Sequence, residues 1–122
     1  MPTLSKTHLP LQITGFDALY GLEILSLGEE EATAQVAVRP DVLQPGGLVH
    51  GGVFAGVADA LTTDATLRAI SSHTSFLRPI TQGSVHAHAR RRHSGRTTAV
   101  WEVDITDDEG RLCALVRVTT AR

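Results

Sequence analysis

Alternating apolar and polar positions dominate the C-terminal half of the chain and predict β-strands there. The pattern covers residues 85–90, 99–106 and 112–118. Turn-forming residues separate these strands at His93–Gly95 and at Asp107–Gly110. Short turns of this kind join antiparallel neighbours, so the second half predicts an antiparallel meander.

The N-terminal half predicts two more strands and a short helix. Leu22–Leu27 and Ala32–Val38 fit strands, and the residues from Gly28 to Glu31 form a hairpin turn between them. The stretch from Thr14 to Tyr20 fits a short helix with Thr14 as its N-cap. A further short strand is expected to end at Phe76–Pro79.

One longer helix is predicted from about Gly52 to about Ala69. Its residues are small or apolar on most faces, which is typical of a helix buried on most faces. The expected fold is therefore α+β, with five to six antiparallel strands wrapped around one central helix. Such a sheet keeps free edge strands, which a symmetric dimer can join.

Composition adds limits on the class of protein. The 122 residues suit a single domain over 1–122, with residues 1–10 expected to be a flexible arm. A net charge of -2 and 4% aromatic residues disfavour nucleic-acid binding. No apolar run reaches the length of a membrane span, and a lone cysteine suits a reducing compartment. We expect a cytoplasmic protein without a nucleic-acid or membrane partner.

The strongest signal of chemistry is a glycine-rich loop at residues 44–52 that runs directly into the helix. The first N–H groups of a helix lack intrahelical partners and carry partial positive charge. Gly51 and Gly52 let a ligand atom approach these donors closely. Asp59 then adds an acid or base two to three turns later. This combination suits acyl-transfer chemistry.

Each residue of this set also has a structural interpretation. Asp59, with apolar neighbours on both sides, could be a buried carboxylate held by a hydroxyl or facing an interface. Thr63 lies on the same helix face and could orient that carboxylate or a water, or bond back to its own turn. His50 could be a structural hydrogen-bonding residue, and Gln44 an exposed loop residue. The residues alone leave these alternatives open.

Two further clusters carry weaker signals. His86 and His88 share one strand face at a spacing that can bind zinc, but no third ligand is evident, so we expect no metal site. The arginines at 90–92 and Arg96 form a basic cluster. This cluster is either a solvated strand end or a site for a phosphate-bearing ligand.

The ordered motifs resemble the hotdog-fold acyl-CoA thioesterases. Gly47–Gly52 followed by Asp59 is similar to the His-Gly-Gly loop and helix acid of the 4-hydroxybenzoyl-CoA and phenylacetyl-CoA-type (PaaI-like) branches. The segments at 61–66, 73–79 and 95–114 extend the resemblance to most of the chain after residue 20. It implies hydrolysis of an aromatic acyl-CoA, in aromatic degradation, to the free acid and CoA.

The resemblance also implies roles. Asp59 corresponds to the catalytic carboxylate, typically Glu, so nucleophile and general base both stay open. By the resemblance, the backbone N–H of Gly51, which follows His50 in the His-Gly-Gly loop, polarises the thioester carbonyl. The amide side chain of Gln44 helps to position the carbonyl end, and the hydroxyl of Thr63 helps to place the attacking water. The residues that look like CoA contacts are Arg78, Arg96 and Thr97. The segment from Thr63 to His73 is shorter than the family pattern.

The family resemblance implies a homo-oligomer, a dimer or a tetramer built as a dimer of dimers. Gln44 and Gly51 would come from one subunit, and Asp59 and Thr63 from the other. The chemistry implies no cofactor, because CoA is part of the substrate. The alternative is a non-catalytic acyl-CoA-binding hotdog protein. A hotdog dehydratase or hydratase is disfavoured, because His50 and Asp59 are badly spaced for it on one helix.

Overall fold

The structure, a computed structural model, describes residues 12–122, so the predicted arm at 1–10 lies outside the described residues. The helices are α1 (Gly15–Tyr20) and α2 (Gly51–Thr62), with a 3-10 turn at Pro40–Val42. The strands are β1 (Leu22–Leu27), β2 (Glu31–Ala37), β3 (Arg68–Phe76), β4 (Ser84–Ser94), β5 (Thr98–Thr106) and β6 (Leu112–Ala121). Within this part of the chain, no helix has the length and apolar character that a membrane span needs.

The strands form one antiparallel sheet in the order β1-β2-β4-β5-β6-β3, which confirms the predicted α+β class. Alternate side chains of β5 point into the core, so Ala99, Trp101, Val103 and Ile105 are buried while their neighbours are only partly covered. α2 packs on this apolar face with Val53, Phe54, Val57, Ala58 and Leu61. The single sheet therefore covers one side of one helix.

The predicted end of the long helix is wrong. α2 ends at Thr62, seven residues before Ala69, and β3 already begins at Arg68. The reason is the side chain of Asp64, whose Oδ1 accepts hydrogen bonds from the backbone N–H groups of Thr66 (2.8 Å) and Leu67 (3.0 Å). Such local side-chain bonding offers the backbone an alternative to helix and turns the chain into the sheet. The strand that follows has nine residues and is not short.

The N-terminal predictions hold with smaller differences. Ala32, Ala34 and Val36 are buried on one face of β2, and Ala37 at its end is exposed. Thr14 occupies the N-cap position of α1, but its side chain makes no capping hydrogen bond. The turn between β1 and β2 closes through a hydrogen bond from the Gly28 N–H to the Glu31 carbonyl.

The two free edges of the sheet differ in kind. β1 has six residues, and its pairing with β2 is interrupted between Ile24 and Ser26. β3 has nine residues, most of them exposed, and carries Ile70 and Phe76 with more than half of their surface accessible. A long, apolar edge strand is an efficient template for pairing with another strand. The β3 edge is therefore the one suited to a partner.

Asp107 organises the turn between β5 and β6. Its carboxylate accepts hydrogen bonds from the backbone N–H groups of Glu109 and Arg111 (both 3.0 Å) and from Arg111 Nε (2.8 Å). Burial of this carboxyl raises its pKa, but these hydrogen bonds and the Arg111 charge outweigh burial, and the pKa of Asp107 is lowered. The folded state therefore favours the ionised form.

We predict that Asp107 contributes stability that acid removes. Because the folded pKa lies below the unfolded value of about 3.9, the contribution is complete above that value and disappears as pH falls through the folded pKa. Asp107→Asn should lower Tm at pH 7 and flatten the acid limb of a Tm-against-pH curve. Glu29→Gln, which changes an exposed carboxylate of the β1–β2 turn, is the matched control. If wild type, Asp107→Asn and Glu29→Gln lose Tm equally as the pH falls, the result would contradict the stabilising role of Asp107.

Candidate active site

Backbone hydrogen bonds shape the loop that leads into α2. The Gln44 N–H donates to the Leu48 carbonyl (2.7 Å), and the Gly47 N–H donates to the Gln44 carbonyl (2.9 Å). Gly47 has a φ of +87°, a conformation that a side chain would strain. The Val49 N–H donates to Ile80 and the His50 N–H to Val42, both at 2.8 Å. These bonds tie the loop to the 3-10 turn and to the segment between β3 and β4, and they fix the start of the helix.

His50 is the N-cap of α2. Its Nδ1 accepts the Gly52 N–H (2.8 Å), and its carbonyl accepts the Val53 N–H (2.9 Å). Because Nδ1 is an acceptor, the neutral imidazole carries its proton on Nε2. The Gly51 N–H has no hydrogen-bond partner within residues 12–122. The structural interpretation of His50 is thus realised, and its effect is to leave the Gly51 N–H as an available donor.

A cavity of about 400 Å³ opens beside this donor, and we call it the Arg78 cavity. Its polar lining comes from Gln44, the Gly51 backbone and Arg78. The remaining lining residues are apolar or proline: Leu48, Val49, Phe54, Phe76, Leu77, Pro79 and Ile80. The Oε1 of Gln44 accepts the Gly46 N–H, which leaves the NH2 group of the amide without that partner. Gln44 is only partly exposed and lies beside the predicted carbonyl-polarising glycine.

Phe76 is a site residue that the sequence did not single out. A Cβ at Gly51 would lie only 2.8 Å from its ring, so position 51 must be glycine while the ring stays there. The ring is 64% exposed and lies 6.3 Å, centroid to centroid, from the ring of Phe54. β3 is exposed at most of its positions, so no inward and outward alternation marks Phe76 in the sequence.

The structure rules out, for the single chain, the alternative in which Asp59 is a buried carboxylate. Its side chain is exposed in this chain, because it lies on the face of α2 opposite the sheet. Thr63 Oγ1 donates to the Asp59 carbonyl oxygen (2.7 Å) and lies 3.4 Å from Asp59 Oδ2. The hydroxyl therefore bonds back to its own turn, and it also stands beside the Asp59 carboxylate.

α1 is anchored next to this part of α2. The rings of Phe16 and Tyr20 lie 3.1 and 3.3 Å from a Cβ that position 56 would carry, so Gly56 permits their close contact. Tyr20 donates from its hydroxyl to Asp17 Oδ1 (2.9 Å). Burial raises the pKa of Tyr20 strongly, and the hydrogen bond to Asp17 and the charges of Asp17 and Asp59 raise it further. Tyr20 thus stays protonated, and its hydroxyl closes a hydrogen bond within α1, while its buried ring is what packs α1 against α2.

The predicted site residues fall into two groups at opposite ends of the chain's fold. Gly51 lies against Phe76, at the end of β3. Asp59 lies further along α2, roughly 12 Å away at a rise of about 1.5 Å per residue. That position is near the turn that starts β3. The two groups therefore do not meet within one chain.

The CoA-contact candidates divide in the same way. Arg78 lines the cavity at the Gly51 end. Arg96 and Thr97 lie in the turn before β5, whose first residue, Thr98, pairs with Ala121. Ala121 also pairs with Arg68, the first residue of β3. Arg96 and Thr97 are thus at the Asp59 end, far along the sheet from Arg78.

The histidine pair lies on the outer face of the sheet. His86 Nε2 bonds to Asp108 (2.8 Å), and His88 Nε2 bonds to Glu31 (2.9 Å). Each imidazole thus has its own carboxylate partner. Within residues 12–122, no group of three or more histidine, cysteine or acidic side chains is placed to hold a metal ion.

Two arginines of the basic cluster pair with acidic residues of the neighbouring strand β5. Arg90 pairs with Asp104 (2.9 Å), and Arg92 lies 3.5 Å from Glu102. These cross-strand pairs fit the solvated-surface interpretation, and exposed pairs of this kind contribute little stability. Of the four arginines in the cluster, Arg96 lies outside the strands, in the turn between β4 and β5.

The lone cysteine has a structural environment. Cys113 is buried, and its Sγ donates to the Arg111 carbonyl (3.3 Å). Burial raises the pKa of the thiol, and the Asp107 charge adds to this effect. A protonated, buried thiol is a poor nucleophile, so Cys113 belongs to the core.

Comparison with known proteins identifies the family of this chain. Residues 46–114 match the model of the thioesterase superfamily. The chain is 32% identical over 116 residues to the 1,4-dihydroxy-2-naphthoyl-CoA hydrolase of Listeria monocytogenes, covering 88% of this chain and 94% of that protein. The crystal structure of thioesterase HI1161 from Haemophilus influenzae has a TM-score of 0.77 and 30% identity, covering 86% of this chain and 80% of that one.

A variant of the phenylacetic acid degradation protein PaaI from Thermus thermophilus is similar as well. Its TM-score is 0.79 at 33% identity, with 88% of this chain and 97% of that chain covered. The matched family segment contains the loop from Gly46 onward, α2 and β3, but it begins after Gln44. Sequence and fold therefore agree that this chain belongs to the thioesterase superfamily and is a hotdog-fold thioester hydrolase.

Proposed function

We propose that this protein hydrolyses an aromatic acyl-CoA, 4-hydroxybenzoyl-like or phenylacetyl-like, to the free acid and CoA. The observation that carries the proposal is the Gly51 N–H at the start of α2, which has no hydrogen-bond partner within residues 12–122 and belongs to a residue that lines a cavity of about 400 Å³. The family supplies thioester hydrolysis. The names of the Listeria and Thermus relatives, which concern a naphthoyl-CoA and phenylacetic acid, support an aromatic acyl group.

The Gly51 N–H would stabilise the oxyanion that develops on the thioester carbonyl. One well-placed donor of this kind contributes about 2.7–4 kcal/mol to transition-state stabilisation, and the helix dipole acts in the same direction. Gln44 already accepts the Gly46 N–H through Oε1, so its amide NH2 group is the part that would hold the carbonyl end of the substrate.

Asp59 would act as nucleophile or as general base, and both routes consume one water. As a base, it takes a proton from water while the hydroxide adds to the carbonyl carbon. As a nucleophile, it forms an anhydride that water then opens. In either route the carbon–sulfur bond breaks, and CoA leaves as the thiolate and then takes up a proton. Thr63, 3.4 Å from the carboxylate, would place the water.

The separation of Gly51 from Asp59 favours a site built from two subunits. A reacting carbonyl needs its oxyanion donor and its acid or base within about 3 Å each. The exposed edge of β3 supplies the geometry, because antiparallel pairing of two β3 strands around a two-fold axis sets the end of one beside the start of the other. The Gly51 group of one subunit would then meet the Asp59 group of its partner.

The same dimer would bring the CoA-contact candidates together. Arg78 at one end of a subunit would meet Arg96 and Thr97 of the partner subunit, which suits a ligand with several phosphates. We propose a dimer as the minimal unit, with a tetramer as a dimer of dimers. The chemistry needs no cofactor besides the CoA of the substrate. We propose the cytoplasm as its location, on the basis of its single, buried cysteine.

The alternative is a non-catalytic acyl-CoA-binding protein on the same fold. It would need the Gly51 donor and the basic residues, but not Asp59 together with Thr63 and Gln44. A panel of aromatic and aliphatic acyl-CoAs, assayed by released thiol, separates the two functions. Binding without thiol release across the panel would favour the binding protein.

We predict that Asp59→Asn lowers thioester hydrolysis at least about a hundredfold, because it removes the acid–base group. The residue is exposed. The free energy of unfolding should therefore change by no more than about 0.5 kcal/mol. Asp59→Glu keeps the carboxylate and should retain part of the activity. Near-normal turnover by a pure Asp59→Asn sample would contradict the mechanism.

We predict that Gly51→Ala lowers kcat/KM by about tenfold to a hundredfold, the scale of a small misplacement of reacting groups. The added Cβ must push the Phe76 ring into the Arg78 cavity, and this exposed ring can move without unfolding the protein. In a Phe76→Ala background the same substitution should cost much less, so the two effects are non-additive. Strictly additive losses would show that Phe76 is not the cause.

We predict that two inactive chains restore activity when their subunits exchange. One chain carries Gln44→Ala and Gly51→Ala, and the other carries Asp59→Asn. Random pairing makes half of the dimers mixed, and each mixed dimer has one intact site of two, so activity should approach about one quarter of wild type. Native mass spectrometry measures the exchange. Complete exchange without any recovered activity would rule out the shared site.

A further inference from the structure

A second cavity lies on the other side of the start of α2, and we call it the α1 cavity. Its volume is about 280 Å³, and His50 and Gly52 lie at its edge on the helix side. The apolar lining residues are Phe16, Leu19, Tyr20, Val42, Leu43 and Val53. Since Gly51 borders the Arg78 cavity and its two neighbours border the α1 cavity, the two cavities flank the proposed oxyanion donor.

The wall that α1 contributes is unusually apolar for a surface. Leu19 is 73% exposed and Phe16 is 61% exposed, whereas Tyr20 between α1 and α2 is buried. Apolar surface left in water costs about 25 cal/mol for each Å². Clustered exposed apolar residues around a concave site are typical of ligand-binding grooves. Burial against α2 therefore accounts for Tyr20, but it leaves most of the surface of Phe16 and Leu19 in solvent.

Charge distinguishes the two cavities. The Arg78 cavity contains a guanidinium, which suits the phosphates of CoA. The α1 cavity is lined by Asp41, whose carboxylate forms an ion pair with Arg39 (2.6 Å). This ion pair also engages the guanidinium of Arg39, which is then not free to bind a phosphate. A carboxylate at the cavity wall disfavours phosphate, so the CoA arm should follow the Arg78 cavity. The α1 cavity then remains for the acyl side of the thioester.

We propose that the α1 cavity binds the acyl group of the substrate, with Phe16 and Leu19 as its specificity-determining wall. This inference rests on the proposed function, because it takes the thioester carbonyl to sit at Gly51. An apolar cavity of about 150 Å³ is large enough to hold benzene. The α1 cavity, with a volume of about 280 Å³, therefore accommodates a substituted ring or two fused rings. The ligand class is an aryl or similarly bulky apolar acyl group.

The wall has one fixed part and one adjustable part. Phe16 is held against Tyr20 in an edge-to-face pair with centroids 5.2 Å apart, and both rings rest on Gly56. Leu19 is more exposed than Phe16, so its size can be changed with little effect on packing. Leu19 is thus the position at which the cavity can be narrowed or widened without disturbing the core.

The test compares two thioether analogues that cannot be hydrolysed, phenacyl-CoA with an aryl group and acetonyl-CoA with a methyl group. Kd is measured by calorimetry for wild type, Leu19→Trp and Leu19→Ala. Leu25→Trp and Leu25→Ala are the matched controls, since Leu25 is also an exposed leucine (57%) but lies on β1. Tm measurements establish that all five proteins are folded.

Leu19→Trp should fill the cavity and weaken phenacyl-CoA binding at least about tenfold, the usual scale of discrimination by an apolar pocket. Acetonyl-CoA binding should change less than about twofold, because a methyl group does not reach the wall. Leu19→Ala should also favour acetonyl-CoA relative to phenacyl-CoA, and the Leu25 variants should match wild type. Equal effects on both analogues, or none on either, would overturn the proposal.

Hydrolysis of benzoyl-CoA and acetyl-CoA by the same proteins separates this inference from the proposed function. Changed selectivity in Leu19→Trp supports both. Hydrolysis with unchanged selectivity overturns the acyl site alone. Selective binding of phenacyl-CoA without any hydrolysis keeps the acyl site and overturns the enzyme assignment. A wild-type protein that binds neither analogue overturns both.

Discussion

Burial of one side of α2 against the sheet is the constraint on which the site depends. Val53, Phe54, Val57 and Leu61 must face the strands, since together they form the centre of the core. With about 3.6 residues in each helical turn, this choice leaves Asp59 on the opposite side of the helix, in solvent. The helix start is equally constrained, because His50 caps it and leaves the Gly51 N–H available. Packing thus decides which polar groups can meet a ligand.

Much of this architecture was predictable because period-2 burial and turn residues are local signals. β5 shows the simplest case, with alternate residues buried from Ala99 to Ile105. The end of α2 was not predictable from apolar content, because residues 63–69 mix small, polar and apolar side chains that suit either structure. Asp64 decides the outcome through two backbone hydrogen bonds that only the folded turn provides. The full length of β3 was not predicted, because an exposed edge strand has no buried face and so shows no alternation of apolar and polar residues.

The candidate site was predictable in its residue types but not in its surroundings. The Gly-rich loop and Asp59 identify the two groups of polar atoms, and the family match covers both. The sequence could not show that Asp59 is exposed in the single chain, since its apolar neighbours point elsewhere on the helix. Nor could it show Phe76 resting on Gly51 or Phe16 on Gly56, because these contacts join distant segments. Contacts of this kind exist only once helices and strands have packed.

In the proposed dimer, the exposed edge of β3 would link the stability of the fold to the concentration of the protein. Association that covers this strand stabilises the folded chain by mass action, and dilution withdraws that stabilisation. In the proposed dimer, dilution would also separate Gly51 from the partner's Asp59. Thermal resistance and turnover would then decline together over the same range of concentration, although no residue of either group had changed. Subunit association would thus set the lowest concentration at which this fold is a working catalyst.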